Sequence, residues 1–405
     1  SMGGGGALWL GLTRPGIWAA IAPVCPVTPP GARELAGNAL HVPVKMFQGE
    51  LDPLVAAGET RAWYKALLEA GAKIEYLEYP GVRHNAWDKA YENGSIFDWF
   101  DQHQLIRYPS RVHFSARRYE YGSAYWVRLD RLAPGKLATI DAEYTAKNKL
   151  RIKTEALDAF TLDLSHHPMY VRRQTVVLNV DGTALRAKPA DSISLSRDKG
   201  RWALKRFTPP ETEKQAGSEG PISSAIASRH AYVYGTANAP AIEELKRRKA
   251  IAESAADWST PRSRLMLNLH VLADEEATAD EWKNSNLVLF GNTQTNSVIA
   301  RIAGKLPLEL NPGAADYGLV FTAPVDGRSV VVNSGLPWWT RADQARRPGL
   351  SFVPTPFRTL QSFGDYILFK GGLENVVVEG YFDRNWKLPP ADAKKMQETG
   401  AVTVR

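Results

Sequence analysis

Over the first hundred residues, apolar runs alternate with amphipathic stretches. Residues 7–12 are apolar on nearly all sides, as a buried helix would be, and Arg14-Pro15-Gly16 stops them. Residues 17–23 are a short apolar run between turn residues, which predicts a buried parallel strand. A Pro-rich loop over 26–37 leads to a second strand over 42–47. A helix is expected over 56–70, with Trp63, Leu67 and Ala70 on one face and Gly71 as its cap. Residues 73–79 alternate as a strand, 80–87 form a loop, and a last helix is expected over 87–102. Strand, helix, strand, helix in this order predicts a parallel sheet.

From Tyr108 the period changes to two. Short strands are expected over 112–115, 124–129, 138–142, 149–154, 160–164 and 175–180, with Asp181-Gly182 as a hairpin turn. Their spacing of about a dozen residues suits a β-sandwich over 108–206. A polar, Pro-rich linker over 208–220 precedes a second alternating stretch. Strands are expected over 230–236, 265–272, 286–291 and 329–334, and helices over 239–258, 274–282 and 298–305, the last capped by Thr295-Asn296-Ser297. This pattern suits a small flavodoxin-like or Rossmann-like α/β unit over 207–345. In the tail, 346–405, two or three strands around Gly371-Gly372 are expected, and 381–386 is expected to anchor on another domain.

The 405 residues suffice for about two to four domains with packed cores. Net charge is +7, but lysines and arginines are interspersed with acids, so a solvated basic surface is expected and no nucleic-acid partner. Cys25 is the lone cysteine, so no intrachain disulfide forms, and export to the periplasm or beyond is neither supported nor excluded by it. No apolar run is long enough to span a membrane. Gly235-Thr236 and Gly291-Asn292-Thr293 end strands at helix starts where an anion would fit. With no Gly-x-Gly-x-x-Gly and no Walker sequence, structural turns and no cofactor are expected.

The chemistry centres on Ser1-Met2-Gly3-Gly4-Gly5-Gly6-Ala7. Three readings compete: a Ser-Met remnant of tag removal before a glycine linker, an N-terminal nucleophile activated by its own amine, and the last three positions of a Gly-x-Ser-x-Gly elbow. The third draws support from Asp52 and His84. Each follows a predicted strand, where ligands of open α/β sheets bind, and the order Ser1, Asp52, His84 is that of the α/β hydrolases. Serine needs an imidazole to take its proton, and the imidazole needs a carboxylate to hold its tautomer and stabilise its cation. The Met2 N–H would supply one oxyanion donor. Glu50 is a rival acid, and Asp88 reads as a helix N-terminal charge.

Residues 1 to about 107 resemble the C-terminal half of a prolyl-oligopeptidase-like or polyhydroxybutyrate-depolymerase-like esterase domain. The resemblance rests on Ser1-Met2-Gly3-Gly4, Ala19-Ala20-Ile21-Ala22-Pro23, Gln48-Gly49-Glu50-Leu51-Asp52-Pro53-Leu54-Val55 and Gly81-Val82-Arg83-His84-Asn85-Ala86-Trp87. Gln48 departs from the pattern, since such families usually carry His there; it lies outside the triad, so little is expected to change. The resemblance implies hydrolysis of a small or polymeric carboxylic ester, or of a peptide, through an acyl-serine and without a metal. Without the strand that precedes the serine and the second oxyanion donor, these residues by themselves are expected to be inactive. The alternative is a non-catalytic protein whose β-domain binds a carbohydrate or a protein. Tyr119, Tyr121, Tyr125 and Trp126 would form a carbohydrate platform or fill the sandwich core. The His166-His167 pair lacks supporting ligands, and adjacent strand residues point to opposite faces, so no metal site is expected.

Overall fold

The computed structural model describes residues 1–259, 269–340 and 355–405. The chain divides into two compact units, Ser1–Pro209 and Pro210–Arg405.

In the first unit, α1 (Met2–Thr13) starts directly after Ser1, so the glycines lie within the helix. Strand β1 (Val44–Gly49) pairs in parallel with β2 (Ile74–Tyr79), and α2 (Ala57–Glu69) crosses between them. The strand expected over 17–23 takes an interrupted form. Residues 15–17 turn as a 3-10 helix, and only Ile21 and Val24 bridge to β1, both in parallel. The ladder explains this. Ile21 N–H donates to Pro43 O (3.0 Å), Lys45 to Ile21 O (3.0 Å), Phe47 to Pro23 O (3.0 Å) and Cys25 to Phe47 O (2.8 Å). The missing rung falls at Pro23, which has no N–H to give. Residues 21–25 thus form a third strand position beside β1.

Side chains alternate across this sheet. Val44 and Met46 join Leu8, Leu12, Trp63 and Leu67 on one face, and Phe47 meets Ala90 and Ile96 on the other. The single helix expected over 87–102 is two short ones, α3 (Trp87–Ala90) and α4 (Ser95–Phe100). The break falls where Asn93 (φ 53°) and Gly94 (φ 73°) turn left-handed, a conformation these two residue types tolerate best. The Pro-rich stretch also contains a 3-10 helix, Ala32–His41.

The remainder of this unit is a β-sandwich. Its strands are β3 (Arg111–Ala116), β4 (Ser123–Ala124), β5 (Val127–Leu132), β6 (Ala138–Ala146), β7 (Lys149–Glu155), β8 (Leu157–Asp163), β9 (Val176–Val180), β10 (Thr183–Ala187), β11 (Ser192–Asp198) and β12 (Arg201–Ala203). They form two five-stranded sheets, in the orders β10-β9-β7-β6-β3 and β12-β11-β8-β5-β4. All pairings are antiparallel except β7 with β9. Asp181-Gly182 turns the β9–β10 hairpin, with Thr183 opposite Val180. Alternating residues such as Ala138, Ile140, Ala142 and Tyr144 of β6 fill the space between the sheets.

The second unit is built on one mixed sheet. Its elements are α5 (Ile222–Ile226), β13 (His230–Tyr234), α6 (Ile242–Ser259), β14 (His270–Ala273), α7 (Ala279–Asn284), β15 (Asn286–Phe290), α8 (Ser297–Ile302), β16 (Leu308–Leu310), β17 (Tyr317–Val325), β18 (Arg328–Gly335), α9 (Thr355–Ser362), β19 (Tyr366–Lys370), β20 (Gly372–Gly380), α10 (Pro390–Glu398) and β21 (Val402–Val404). Seven described strands run in the order β14-β13-β15-β18-β17-β19-β20. The first four are mutually parallel, and β17, β19 and β20 extend the sheet antiparallel. The parallel strands alternate with helices, and the strands around Gly371-Gly372 add to the same sheet rather than forming a separate tail. Part of the strand expected over 265–272, at 265–268, and the expected boundary at 345 lie outside the described residues. Both faces are covered: Tyr232, Val288 and Phe369 pack on one side, and Val233, Leu289 and Leu368 on the other.

Candidate active site

Asp52 and His84 leave β1 and β2 at their carboxyl ends and meet there. His84 Nδ1 stands 2.8 Å from Asp52 Oδ2. The Asp52 side chain is fully buried, and the His84 side chain is 23% exposed. Leu54 and Val55 N–H donate to Asp52 Oδ1 at 2.8 and 3.0 Å. Burial pushes the Asp52 carboxyl up, but hydrogen bonds from Val55, His84 and Leu54 outweigh it and hold the group below the usual carboxylate range. An ionised carboxylate only accepts, so the ring proton sits on Nδ1 and Nε2 of the neutral imidazole is left as a base.

Gly49 makes this meeting possible. A Cβ there would lie 2.0 Å from Arg83 O and 2.5 Å from Val82 O, so the loop before His84 crosses against the bare backbone. Leu51 N–H to Val82 O (2.9 Å) and Gly81 N–H to Glu50 Oε2 (2.9 Å) join the two loops. Glu50, the rival acid, is thus engaged with Gly81 rather than His84. Asp88 accepts from Asn85 Nδ2 at 2.8 Å. Trp87 sets its ring edge-on to His84, 5.5 Å between centroids.

Ser1 lies one strand further along. Its amino group donates to Cys25 O, and its carbonyl accepts from Val27 N–H at 3.2 Å. Among the described residues, no hydrogen bond joins Ser1 Oγ to His84. Met2 is the first residue of α1, with its side chain in solvent, and its N–H is among those at the helix start that lack an intrahelical acceptor. Gly4 and Gly5 let the helix rest on the 24–27 backbone, since a Cβ would come within 2.1 Å of Val24 O and 2.4 Å of Val27 O.

Two neighbours escaped sequence reasoning. Gln48, expected to matter little, is buried and donates to Gly49 O (3.1 Å), Val55 O (2.9 Å) and Asp52 Oδ2 (3.3 Å), while accepting from Thr60 Oγ1 (2.7 Å). Cys25, the lone cysteine, is the second. Its Sγ donates to His84 O at 3.7 Å, and the ligand atoms of Cys25, Asp52 and His84 all lie within 4.8 Å of one another. This is the group among the described residues that would hold a cation. Burial, reinforced by Asp52, pushes the thiol up to about 11, so it stays protonated near neutrality and is a poor ligand in that form. The sequence signal for Cys25 was its place just after a strand, the same signal that marked Asp52 and His84.

The four aromatics of the expected platform divide between the sandwich core and one cleft. Trp126 is a core residue whose Nε1 donates to Pro109 O at 2.8 Å, and Tyr119 OH accepts from Leu132 N–H at 3.0 Å. Tyr121, Tyr125 and one edge of Trp126 line a cleft of about 420 Å³ with Arg14, Tyr108, Glu120 and Asp163. His167 is buried against Tyr144, with Nε2 3.2 Å from Pro109 O and Nδ1 accepting from Met169 N–H at 3.1 Å, so both ring nitrogens serve the fold. At the Gly235-Thr236 strand end the anion position is taken by the protein's own Asp274. That carboxylate accepts from Thr236 N (2.9 Å), Thr236 Oγ1 (2.7 Å) and Ser297 N (2.5 Å).

No family model matches the chain, and no curated protein matches it. Among solved structures it is similar to one described as the crystal structure of a thermostable esterase, at 29% identity over 25% of this chain and 29% of that one, with a TM-score of 0.23. The chain spans less than a third of that esterase, and the likeness is partial. No helix among the described residues is long and apolar enough to cross a membrane.

Proposed function

We propose that residues 1 to about 107 belong to a serine hydrolase that cleaves a carboxylic ester, or a peptide, through an acyl-serine. The observation that carries this reading is the 2.8 Å Asp52–His84 hydrogen bond at the carboxyl ends of two adjacent parallel strands. Ser1 is hydrogen-bonded to the neighbouring strand position at Cys25, where a nucleophile elbow would stand. In this reading His84 Nε2 takes the Ser1 proton as the hydroxyl attacks and returns it to the leaving group. Asp52, ionised and held by its donors, keeps the tautomer and stabilises the imidazolium. Met2 N–H, at the positive end of α1, would supply one donor to the developing oxyanion.

The test is fluorophosphonate labelling of the protein expressed from its complete reading frame. Label is expected on Ser1, with Asp52→Asn slowing ester turnover about 10⁴-fold. Label that persists in Ser1→Ala overturns the reading. A second reading, carbohydrate binding, is favoured by the Tyr121–Tyr125 cleft. It expects Tyr121→Ala to lose retardation on a polysaccharide affinity gel, and unchanged mobility refutes it.

A further inference from the structure

Lys214 and Asp365 lie 151 residues apart in the chain and meet inside the second unit. Their side chains are only 4% and 0% exposed. Lys214 is held along its length. Its N–H donates to Arg384 O at 2.8 Å, its Nζ stands 4.7 Å from the Trp386 ring centroid, and Nζ is in direct contact with Asp365 Oδ2. Asp365 is held from the other side. Its N–H donates to Gly380 O (2.7 Å), its carbonyl accepts from Thr322 N–H (2.8 Å), and Oδ2 accepts from Phe382 N–H (3.0 Å). Oδ1 is buried with no hydrogen-bond partner among the described residues. Gly220 closes over it, where a Cβ would stand 2.0 Å away.

As an ion pair this is an expensive arrangement, because two charges are desolvated and one carboxylate oxygen is left without a donor. Burial pushes the Asp365 carboxyl up and the Lys214 amine down, each opposed by the other's charge. Transfer of one proton across the Nζ–Oδ2 contact leaves a neutral amine facing a neutral carboxylic acid, a nucleophile and an acyl group in contact.

We propose that Lys214 and Asp365 condense into an intramolecular amide cross-link between Nζ and Cγ. The amine lone pair forms the Nζ–Cγ bond, and Phe382 N–H steadies the charge that gathers on Oδ2 in the tetrahedral intermediate. The Cγ–Oδ1 bond then breaks. Oδ1 departs as water with the carboxyl proton and one proton from the amine, and Oδ2 remains as the amide oxygen. No oxidant, metal or co-reactant enters the balance. Fixing both partners supplies the proximity that makes such a condensation intramolecularly fast. The product replaces two buried charges with one neutral amide. It ties the first residues of the unit to the start of β19, a non-reducible closure in a chain with a single cysteine.

Intact mass spectrometry of the full, reduced chain tests this. The expected mass is one water, about 18 Da, below that of the sequence. A tryptic digest is expected to contain Phe207–Arg229, uncut at Lys214, joined to Thr359–Lys370. The joined peptide separates this loss from dehydration elsewhere, such as at Asp181-Gly182. Lys214→Arg should restore the full mass. Asp365→Asn should lose ammonia instead, about 17 Da, an outcome that keeps the chemistry testable if the arginine variant does not fold. An unshifted wild-type mass, with Phe207–Lys214 and Thr359–Lys370 recovered as separate peptides, overturns the proposal and leaves an ion pair.

Discussion

Gly49→Ala is a perturbation whose size follows from the geometry. The new Cβ would lie 2.0 Å from Arg83 O, whereas ordinary contact begins at 3.4 Å, so the loop must retreat by the difference of about 1.4 Å. His84 is the next residue. A shift of that size carries Nδ1 from 2.8 Å to about 4 Å from Asp52 Oδ2, beyond hydrogen-bond reach. Losing a hydrogen bond to a charged group costs about 1.5–3 kcal/mol, and forcing a methyl into a packed contact about 1–3 kcal/mol. The terms overlap, so the expected destabilisation is about 2–4 kcal/mol. Hydrogen–deuterium exchange is the suitable assay, because it reads local opening without requiring the whole chain to unfold in one step. Amide protection over 74–84 should fall by about 30- to 1000-fold. Gly58→Ala is the internal control. It lies in α2, nothing stands within 4 Å of its added Cβ, and it should leave protection unchanged or raise stability by up to about 1 kcal/mol. Unchanged protection over 74–84 in Gly49→Ala would refute the argument that the glycine admits the histidine loop.

Further expectations test the surroundings. Asp52 has a folded pKa below its unfolded value, so its contribution to stability is present above about pH 4 and is lost as pH falls through the folded pKa. The wild-type advantage over Asp52→Asn in urea unfolding should therefore be full at pH 6 and shrink toward pH 3; an advantage that grows on acidification would contradict the assignment. Cys25, with its thiol pushed to about 11, should react with a disulfide reagent at pH 8 at least about 100-fold more slowly than a free cysteine, and comparable rates would show the thiol to be ionised or exposed. Gln48→Leu strands Thr60 Oγ1 and Val55 O and should cost about 1–3 kcal/mol by urea denaturation; a neutral effect would mean that these groups find other partners. Asn296 accepts from Val298 and Ile299 N–H and donates to Val233 O and Phe290 O, so Asn296→Ala should destabilise the second unit by about 2–4 kcal/mol, measured by exchange in β13 and β15.

What the sequence makes legible here is local. Residues 44–49, 57–69 and 74–79 carry clean periods of 2 or 3.6, and Asp181-Gly182 names its own turn, so these elements appear close to where the pattern puts them. What depends on partners distant in the chain is not legible. The strands 183–187, 192–198 and 201–203 are short and polar on one face, and only the opposite sheet gives their apolar residues a place to go. Likewise the tail strands follow β17 and β18 in the same sheet through pairings that no local pattern encodes.

The candidate site divides along the same line, and Cys25 shows why. Adjacent parallel strands run in one direction, so whatever follows each strand is delivered to the same rim of the sheet. Asp52 and His84 carry residue types that suggest chemistry; Cys25 obeys the same placement rule, but as a lone cysteine it suggests no pairing. Its strand was also disguised, since Pro23 removes one rung while leaving Cys25 N–H bonded to Phe47 O at 2.8 Å. Gln48 is the reverse case. Its position precedes the strand end, and its importance arises only when Thr60, Val55 and Asp52 close around its amide. Placement at a strand terminus is therefore the part of such a site that sequence reveals, and the second layer that fixes the acid is set by packing.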